Sequence, residues 1–258
     1  MILDDIAEYT RERVKKLKDK KSLYAVRDEA ESRPAGKDFK AALAADGLSV
    51  IAELKKASPS KGLIAPDFEQ RYLKQAAAYE QGGASAISCL TEPQFFLGSD
   101  EYLLNVRKAV ELPILRKDFT VDEYQIYEAK TIGADAVLLI CSLLSKAQLG
   151  EYLAQARELG LSALVEAHDL AEVQSALAAG ADIIGVNNRN LKDFSVNPLN
   201  SLRLREAIPK EKIFVAESGI AKASDADGLK AAGVQAVLVG EALMRSADPA
   251  AFLKELRA

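Results

Sequence analysis

The chain has 258 residues, 49% hydrophobic and 28% charged, with a formal net charge of -4 and a single histidine. This is the make-up of a globular protein the size of one α/β barrel, and its slight acidity excludes a general nucleic-acid binder, which needs a basic stripe against phosphates. No run of about 20 apolar residues is present to span a membrane, and the mixed charges of Met1–Leu17 do not make a signal peptide. Cys89 and Cys141 are solitary and read as small buried residues of a reducing, cytoplasmic compartment. One histidine and no paired cysteines leave no His/Cys metal site; counting alone leaves a Mg²⁺ held by carboxylates and substrate open.

Residues 1–46 read as a helical extension. Leu3, Ile6, Thr10, Val14 and Leu17 fall at helical spacing with Arg and Lys between them, predicting one amphipathic helix. A polar connection through Ser32-Arg-Pro-Ala-Gly36 and a short helix around Phe39 to Leu43 follow. The stretch is too short to bury a core of its own. From Leu48 onward strand and helix alternate, so residues 47–258 read as one barrel. Strands are predicted at Val50–Leu54, Ala86–Cys89, Pro113–Leu115, Ala136–Ile140, Ala163–Val165, Ile183–Val186, Ile213–Ala216 and Ala236–Val239. Helical patterns between them include Gln70–Glu80, Tyr102–Val110, Glu123–Lys130, Lys146–Glu158, Leu170–Ala179 and Ser224–Ala232. An internal echo runs through Gly83-Ala-Ser-Ala-Ile, Gly133-Ala-Asp-Ala-Val, Gly180-Ala-Asp-Ile-Ile and Gly233-Val-Gln-Ala-Val. Each copy sets a glycine after a helix and then enters a strand, as a C-cap before a buried parallel strand should. The copies recur roughly every 50 residues, about two βα units per interval. Eight even units predict an α/β fold, a closed (β/α)8 TIM barrel behind an N-terminal helical extension. A doubly wound open sheet would carry Gly-x-Gly-x-x-Gly after its first strand, and that turn is missing.

In such a barrel chemistry collects at the C-terminal strand ends. The first strand delivers Glu53 and Lys55 on the same face as Ile51, an expensive pair to send inward, and runs into the turn chemistry of Ser58-Pro-Ser-Lys-Gly62. Other ends carry Lys117, Glu166 with His168, Asn187 with Arg189, Glu217-Ser218-Gly219 and Gly240-Glu241. Ser218-Gly219 and Gly240-Glu241 each precede a helix, where glycine lets backbone N–H groups approach an anion; a phosphorylated substrate is expected there. Glu53, Glu166 and Glu217 against Lys55 and Lys117 make a mixed-charge interior able to hold an acid and a base near neutral pH. The planar fork of Arg189 suits a carboxylate. Phe95, Phe96 and Phe119 could line a pocket for an aromatic ring. His168 reads as a residue beside the Asp169 helix cap.

At these residues the chain resembles the indole-3-glycerol phosphate synthase family over nearly its whole length. The similar stretches are Ile51-Ala-Glu-Leu-Lys-Lys-Ala-Ser-Pro-Ser-Lys-Gly62, Leu90-Thr-Glu-Pro-Gln-Phe-Phe96, Leu115-Arg-Lys-Asp-Phe119, Gly185-Val-Asn-Asn-Arg-Asn-Leu191 and Ala216-Glu-Ser-Gly-Ile220. No motif position departs from the pattern, and the family also carries an N-terminal extension. The resemblance implies closure of 1-(2-carboxyphenylamino)-1-deoxyribulose 5-phosphate to indole-3-glycerol phosphate, with loss of CO2 and water and no cofactor or metal. It implies Lys117 as the acid for ring closure, with Glu166, Glu53 and Lys55 in the dehydration. Arg189, Asn187 and Ser58 would hold the substrate carboxylate; Lys55, Ser218, Gly219, Gly240 and the backbone of Glu241 the phosphate; Phe95 and Phe119 the ring. Glu217 would orient Lys55 or the substrate hydroxyls. The expected working form is a monomer or weak homodimer on a small phosphorylated substrate, with no nucleic-acid or membrane partner. Two other readings stand beside it: a sibling barrel such as phosphoribosylanthranilate isomerase, and a non-catalytic or engineered barrel scaffold.

Overall fold

Side chains alternate across a strand, and here that alternation separates two apolar populations. Ile51, Ala86, Leu115, Ala136, Leu138, Leu164, Ile183, Val215 and Leu238 pack together as one buried cluster, while their neighbours Val50, Ala52, Ile87, Val137, Val165, Ile184, Phe214 and Val237 belong to a second. The first fills a barrel and the second faces the helices around it. The computed structural model describes residues 2–258; Met1, at the head of the expected extension, lies outside the described residues. The barrel strands are β1 (Ser49–Leu54), β2 (Ala86–Leu90), β3 (Ile114–Lys117), β4 (Ala136–Ile140), β5 (Ser162–Ala167), β6 (Ile183–Asn187), β7 (Ile213–Glu217) and β8 (Ala236–Val239). They pair in parallel in that order, and β8 returns to β1 from Ser49↔Ala236 to Ala52↔Val239. The sheet is closed.

Five strands end later than the apolar runs predict, because Leu90, Lys117, Ala167, Asn187 and Glu217 remain in the ladder. A strand's hydrogen bonds do not depend on side-chain polarity, and the upper barrel interior accepts charge. The glycine echo holds: Gly83, Gly133, Gly180 and Gly233 all have φ between 70° and 86°. After each, the next N–H reaches back five residues, as in Ala84 to Tyr79 and Ala181 to Ala176, which is the Schellman closure.

The N-terminal segment behaves as a strap rather than a lobe. It forms α1 (Ile2–Lys20), α2 (Leu23–Ser32) and α3 (Phe39–Leu43). The middle helix was not expected; Ser22 caps it, accepting from the Ala25 N–H, and it lies on α6 (Tyr124–Thr131). At the upper mouth, Arg13 of α1 donates to both oxygens of the buried Asp118 carboxylate, at 2.8 and 2.7 Å. Asp118 also accepts from Thr91 at 2.9 Å and lies 3.6 Å from the buried Arg116 guanidinium. At the lower mouth the Lys37 N–H donates to Asp135 at 2.6 Å, and Phe39 and Leu43, both fully buried, plug the barrel interior. Three short features were also absent from the pattern reading: the hairpin of Ala57–Ser58 with Gly62–Leu63, and helices at Leu199–Leu204 and Pro249–Arg257. The hairpin strands have two residues each and Leu199–Leu204 six, too few to show a period, whereas Pro249–Arg257 does carry helical spacing at Phe252, Leu253 and Leu256; the helix expected after Gly240 is Glu241–Arg245. Among the described residues no helix is long and apolar enough to cross a membrane.

The plug is testable. Phe39→Ala should lower unfolding free energy by about 3–5 kcal/mol, read by urea denaturation, whereas Tyr24→Ala, at a side chain 79% exposed, should change it by under about 0.5 kcal/mol. Equal stability of the two variants would mean that the lower mouth is sealed without Phe39.

Candidate active site

The C-terminal mouth of the barrel opens into a cavity of about 340 Å³, within the range of small-molecule pockets. Its floor is the top layer of inward-facing side chains. Position by position, the alternation that sends Ile51, Leu115, Leu164 and Val215 inward also sends in Glu53, Lys117, Glu166 and Glu217, and all four line the cavity. Lys117 Nζ lies 3.2 Å from Glu166 Oε2 and 3.6 Å from Glu217 Oε2. Glu166 Oε1 accepts from Asn187 Nδ2 at 3.2 Å. Lys55 is paired with Glu53 at 2.6 Å, and Ser88, one strand over, donates to Glu53 at 3.4 Å. Glu217 therefore lies beside Lys117, while Lys55 is held by Glu53, which leaves Glu217 the second of its two expected roles, toward the substrate hydroxyls.

Burial decides how these groups ionise. Burial works against the Lys117 ammonium, but Glu166, Glu217 and Glu53 outweigh it and raise its pKa above the ordinary lysine value. For Glu166 burial works upward, and Lys117, His168 and the Asn187 hydrogen bond overcome it, so it stays below the usual carboxylate range. Glu217 is pushed up to about 8 by burial and by the charges of Glu166 and Glu53, against the pull of Lys117. Its Oε1 is sealed from solvent with no hydrogen-bond partner among the described residues. The floor thus holds an ammonium, a carboxylate and a neutral carboxylic acid side by side.

Two glycines exist because of this floor. A Cβ on Gly185 of β6 would stand 2.1 Å from Glu217 Oε1, and one on Gly240, just after β8, would stand 2.4 Å from Glu53 Oε1 and 2.9 Å from Lys55 Nζ. Lys55 therefore points to the backbone at Gly240, where the chain enters the helix Glu241–Arg245. Beside it, Ser218 and Gly219 both have positive φ, 67° and 92°, an uncommon backbone for a serine. The Ser218 hydroxyl donates to Asn187 Oδ1 at 2.9 Å, and Asn188 Nδ2 donates to the Ser218 carbonyl at 3.0 Å, which hold the turn. The Glu241 side chain is paired with Lys61 at 3.6 Å and with Arg245 at 3.1 Å, so its backbone is the part free to meet an anion.

On the opposite side, Phe96 and Phe119 lie 5.8 Å apart and line the cavity with Ile2, Leu3 and Ile6 of α1. Phe95 does not line it: that ring packs edge-on against Tyr9 at 6.1 Å, so Phe96 takes the expected place. Successive residues of this loop point to different sides, and Glu92, which accepts the N–H groups of Gln94, Phe95 and Phe96, sets which one turns inward. Arg189 and Ser58 also line the cavity; Arg189 Nη1 donates to the Phe194 carbonyl at 3.0 Å, which steadies its fork. Missed by sequence reasoning were Ser88, Ile2, Leu3 and Ile6. Ser88 was visible as a polar residue in step with inward Ala86; Leu3 and Ile6 were visible only as part of a helix stripe with no stated target, and Ile2 stood outside it.

The barrel alone is widely shared. Solved 3-hexulose-6-phosphate synthase superposes with a TM-score of 0.65 at 18% identity, covering 81% of this chain and 98% of that one, a likeness of fold. The family model described as indole-3-glycerol phosphate synthase matches residues 3–256. The indole-3-glycerol phosphate synthase of Ruminiclostridium cellulolyticum is 55% identical over 260 residues, covering 100% of this chain and 99% of the relative. That of Endomicrobium trichonymphae is 53% identical over 259 residues, covering 100% of both. With similarity that runs end to end and takes in every strand that carries the charged floor, the chain belongs to the indole-3-glycerol phosphate synthase family.

Proposed function

We propose that the cavity closes the indole ring of 1-(2-carboxyphenylamino)-1-deoxyribulose 5-phosphate, releasing CO2 and water, with the roles that follow. The observation that carries this is the Lys117–Glu166 pair, 3.2 Å apart on the floor between an aromatic pair and a polar backbone corner. The substrate ring sits against Phe96 and Phe119, its carboxylate on Arg189 with Asn187 and Ser58, and its phosphate at Ser218, Gly219, Gly240 and the Glu241 backbone with Lys55. Backbone N–H groups at such turns, joined by an ammonium, suit a phosphate dianion.

Lys117, kept protonated by the carboxylates of Glu166 and Glu53, gives its proton to the ketone oxygen as the carboxylated ring carbon attacks the carbonyl carbon. The ring carboxylate then leaves as CO2, and its bonding pair restores the aromatic ring. In the dehydration the new hydroxyl leaves as water with a proton from Lys55. Glu166, held as a carboxylate, takes a proton from the methylene carbon beside the nitrogen. Glu217, neutral below about pH 8, donates a hydrogen bond to a substrate hydroxyl without adding charge to the site. Each role fits the protonation state that burial and neighbours impose. The buried free thiols of Cys89 and Cys141 fit a reducing compartment such as the cytoplasm.

Mixing the protein with that substrate should produce indole fluorescence against a low background, since the chain has no tryptophan. Lys117→Ala should cut kcat by about 10²–10⁴-fold while the anthranilate fluorescence still reports binding; binding without turnover in the parent would leave a phosphate-binding barrel. Arg189→Ala should raise KM more than it lowers kcat, and the reverse split would move the carboxylate elsewhere.

The Glu217 proton has a stability consequence. The folded state keeps it up to about pH 8 and the unfolded chain releases it near 4.5, so stability falls as pH rises across that window. Glu217→Gln removes the titration and should raise the melting temperature by several degrees at pH 8 but almost not at all near pH 4.5. A difference independent of pH would mean that the carboxyl is not protonated in the folded protein.

A further inference from the structure

The chain's single histidine, His168, does not line the cavity, yet it lies against the residue assigned the base. Two residues beyond Glu166, it faces the same side. Its ring is clamped from behind by Glu172, whose Oε2 accepts the His168 backbone N–H at 2.7 Å and lies 3.2 Å from ring Nδ1. Glu172 is itself fixed in the first turn of α8 (Leu170–Ala178), its N–H donating to Asp169 at 2.9 Å. Asn200 Nδ2 holds the His168 carbonyl at 3.0 Å. With Nδ1–H given to Glu172, Nε2 is left 3.4 Å from Glu166 Oε1, sealed from solvent and without a hydrogen-bond partner among the described residues. A lone pair there would face a carboxylate; an N–H there is attracted to one. Carboxylates on both sides of one ring favour the imidazolium.

We infer that His168, held as an imidazolium between Glu172 and Glu166, is a positioning residue that keeps Glu166 ionised and aimed for proton abstraction. The inference rests on the reading of Glu166 as the base. Burial works against the charged ring, and the Glu172 hydrogen bond with the charges of Glu166 and Glu172 reverses it, raising the histidine. Other groups face this pair. Lys117 from β3, Asn187 from β6 and Glu217 from β7 face Glu166, with Glu53 from β1 acting on Lys117 and Glu217; Asp169 and Glu172 stand at the start of the helix Leu170–Ala178 beside His168, and the Cys141 thiol donates to the Glu172 carbonyl at 3.6 Å. Lys117 keeps most of Glu166's ionisation, so removal of His168 shifts the base without abolishing it.

One histidine makes the test clean. In the full-length protein the ring should titrate, by ¹⁵N–¹H NMR, above the ordinary value of about 6.5, and fall in both Glu172→Gln and Glu166→Gln. The acid limb of the kcat/KM profile should move up by roughly one pH unit in His168→Asn, giving about a ten-fold loss one unit below the parent's limb that shrinks as pH rises. Glu172→Gln should move it the same way by less, and His168→Lys, which restores the charge, should bring it back. An ordinary ring titration in the parent, or a loss in His168→Asn that is uniform across pH, overturns the inference and leaves His168 a packing residue. If the acid limb persists unchanged in Glu166→Gln, the base assignment itself has failed, which is a separate outcome.

Discussion

Three carboxylates and two ammonium groups share the upper layer of the barrel interior, and the rest of the molecule is arranged around that imbalance. Buried charges are tolerable only when paired and hydrogen-bonded. Lys55 belongs to Glu53, while Lys117 is shared by Glu166 and Glu217. Glu166 recruits further donors, Asn187 and the neighbouring imidazole. Glu217 has none for its second oxygen and keeps a proton instead. Two chemically identical side chains thus take opposite protonation states a few ångströms apart, which is how a site without unusual residues holds an acid and a base together.

That layer constrains residues which do no chemistry. Gly185 and Gly240 have no side chain because carboxylate oxygens occupy the space a Cβ would need. Ser88 stands opposite Glu53 in the ladder, in a strand otherwise apolar on both faces. Behind the wall, Arg116 is buried among Asp100, Asp118 and Glu128, with a distance of 2.7 Å to Glu128. It ties β3 to Asp100, Glu128 and the Gln125 carbonyl immediately before Lys117. Interactions like these are costly in desolvation and give little net stability; their return is geometric.

Much of this was legible in the chain, for definable reasons. Period-two alternation runs through charged residues as readily as apolar ones, so Ile51-x-Glu53-x-Lys55 announced an inward pair. The repeated glycines announced strand entries because only a left-handed C-cap explains them so regularly. What failed was of two kinds. Short elements such as Leu199–Leu204 and the helix Leu23–Ser32 lack enough turns or enough apolar spacing to stand out. Contacts across the fold, such as Arg13 with Asp118 or the choice of Phe96 over Phe95, depend on where two distant segments meet, and no local pattern encodes that. Ending most strands at the last apolar residue cut them short, because the polar residue that follows can stay in the ladder, as Asn187 and Glu217 do.

The strap that joins the two mouths bears on how the chain comes to fold. Arg13 meets a partner 105 residues later and Lys37 one 98 residues later, while β1 closes on β8 near the chain's end. During synthesis this segment emerges well before its partners and has nothing to rest on until about half of the barrel exists, and the barrel cannot close until β8 is made. Such late, distant pairings slow folding and leave apolar stripes exposed meanwhile. The charged residues of both signs interleaved along α1 give that waiting helix a soluble face, so the same segment that finally roofs the cavity can remain dispersed in water until the barrel beneath it is complete.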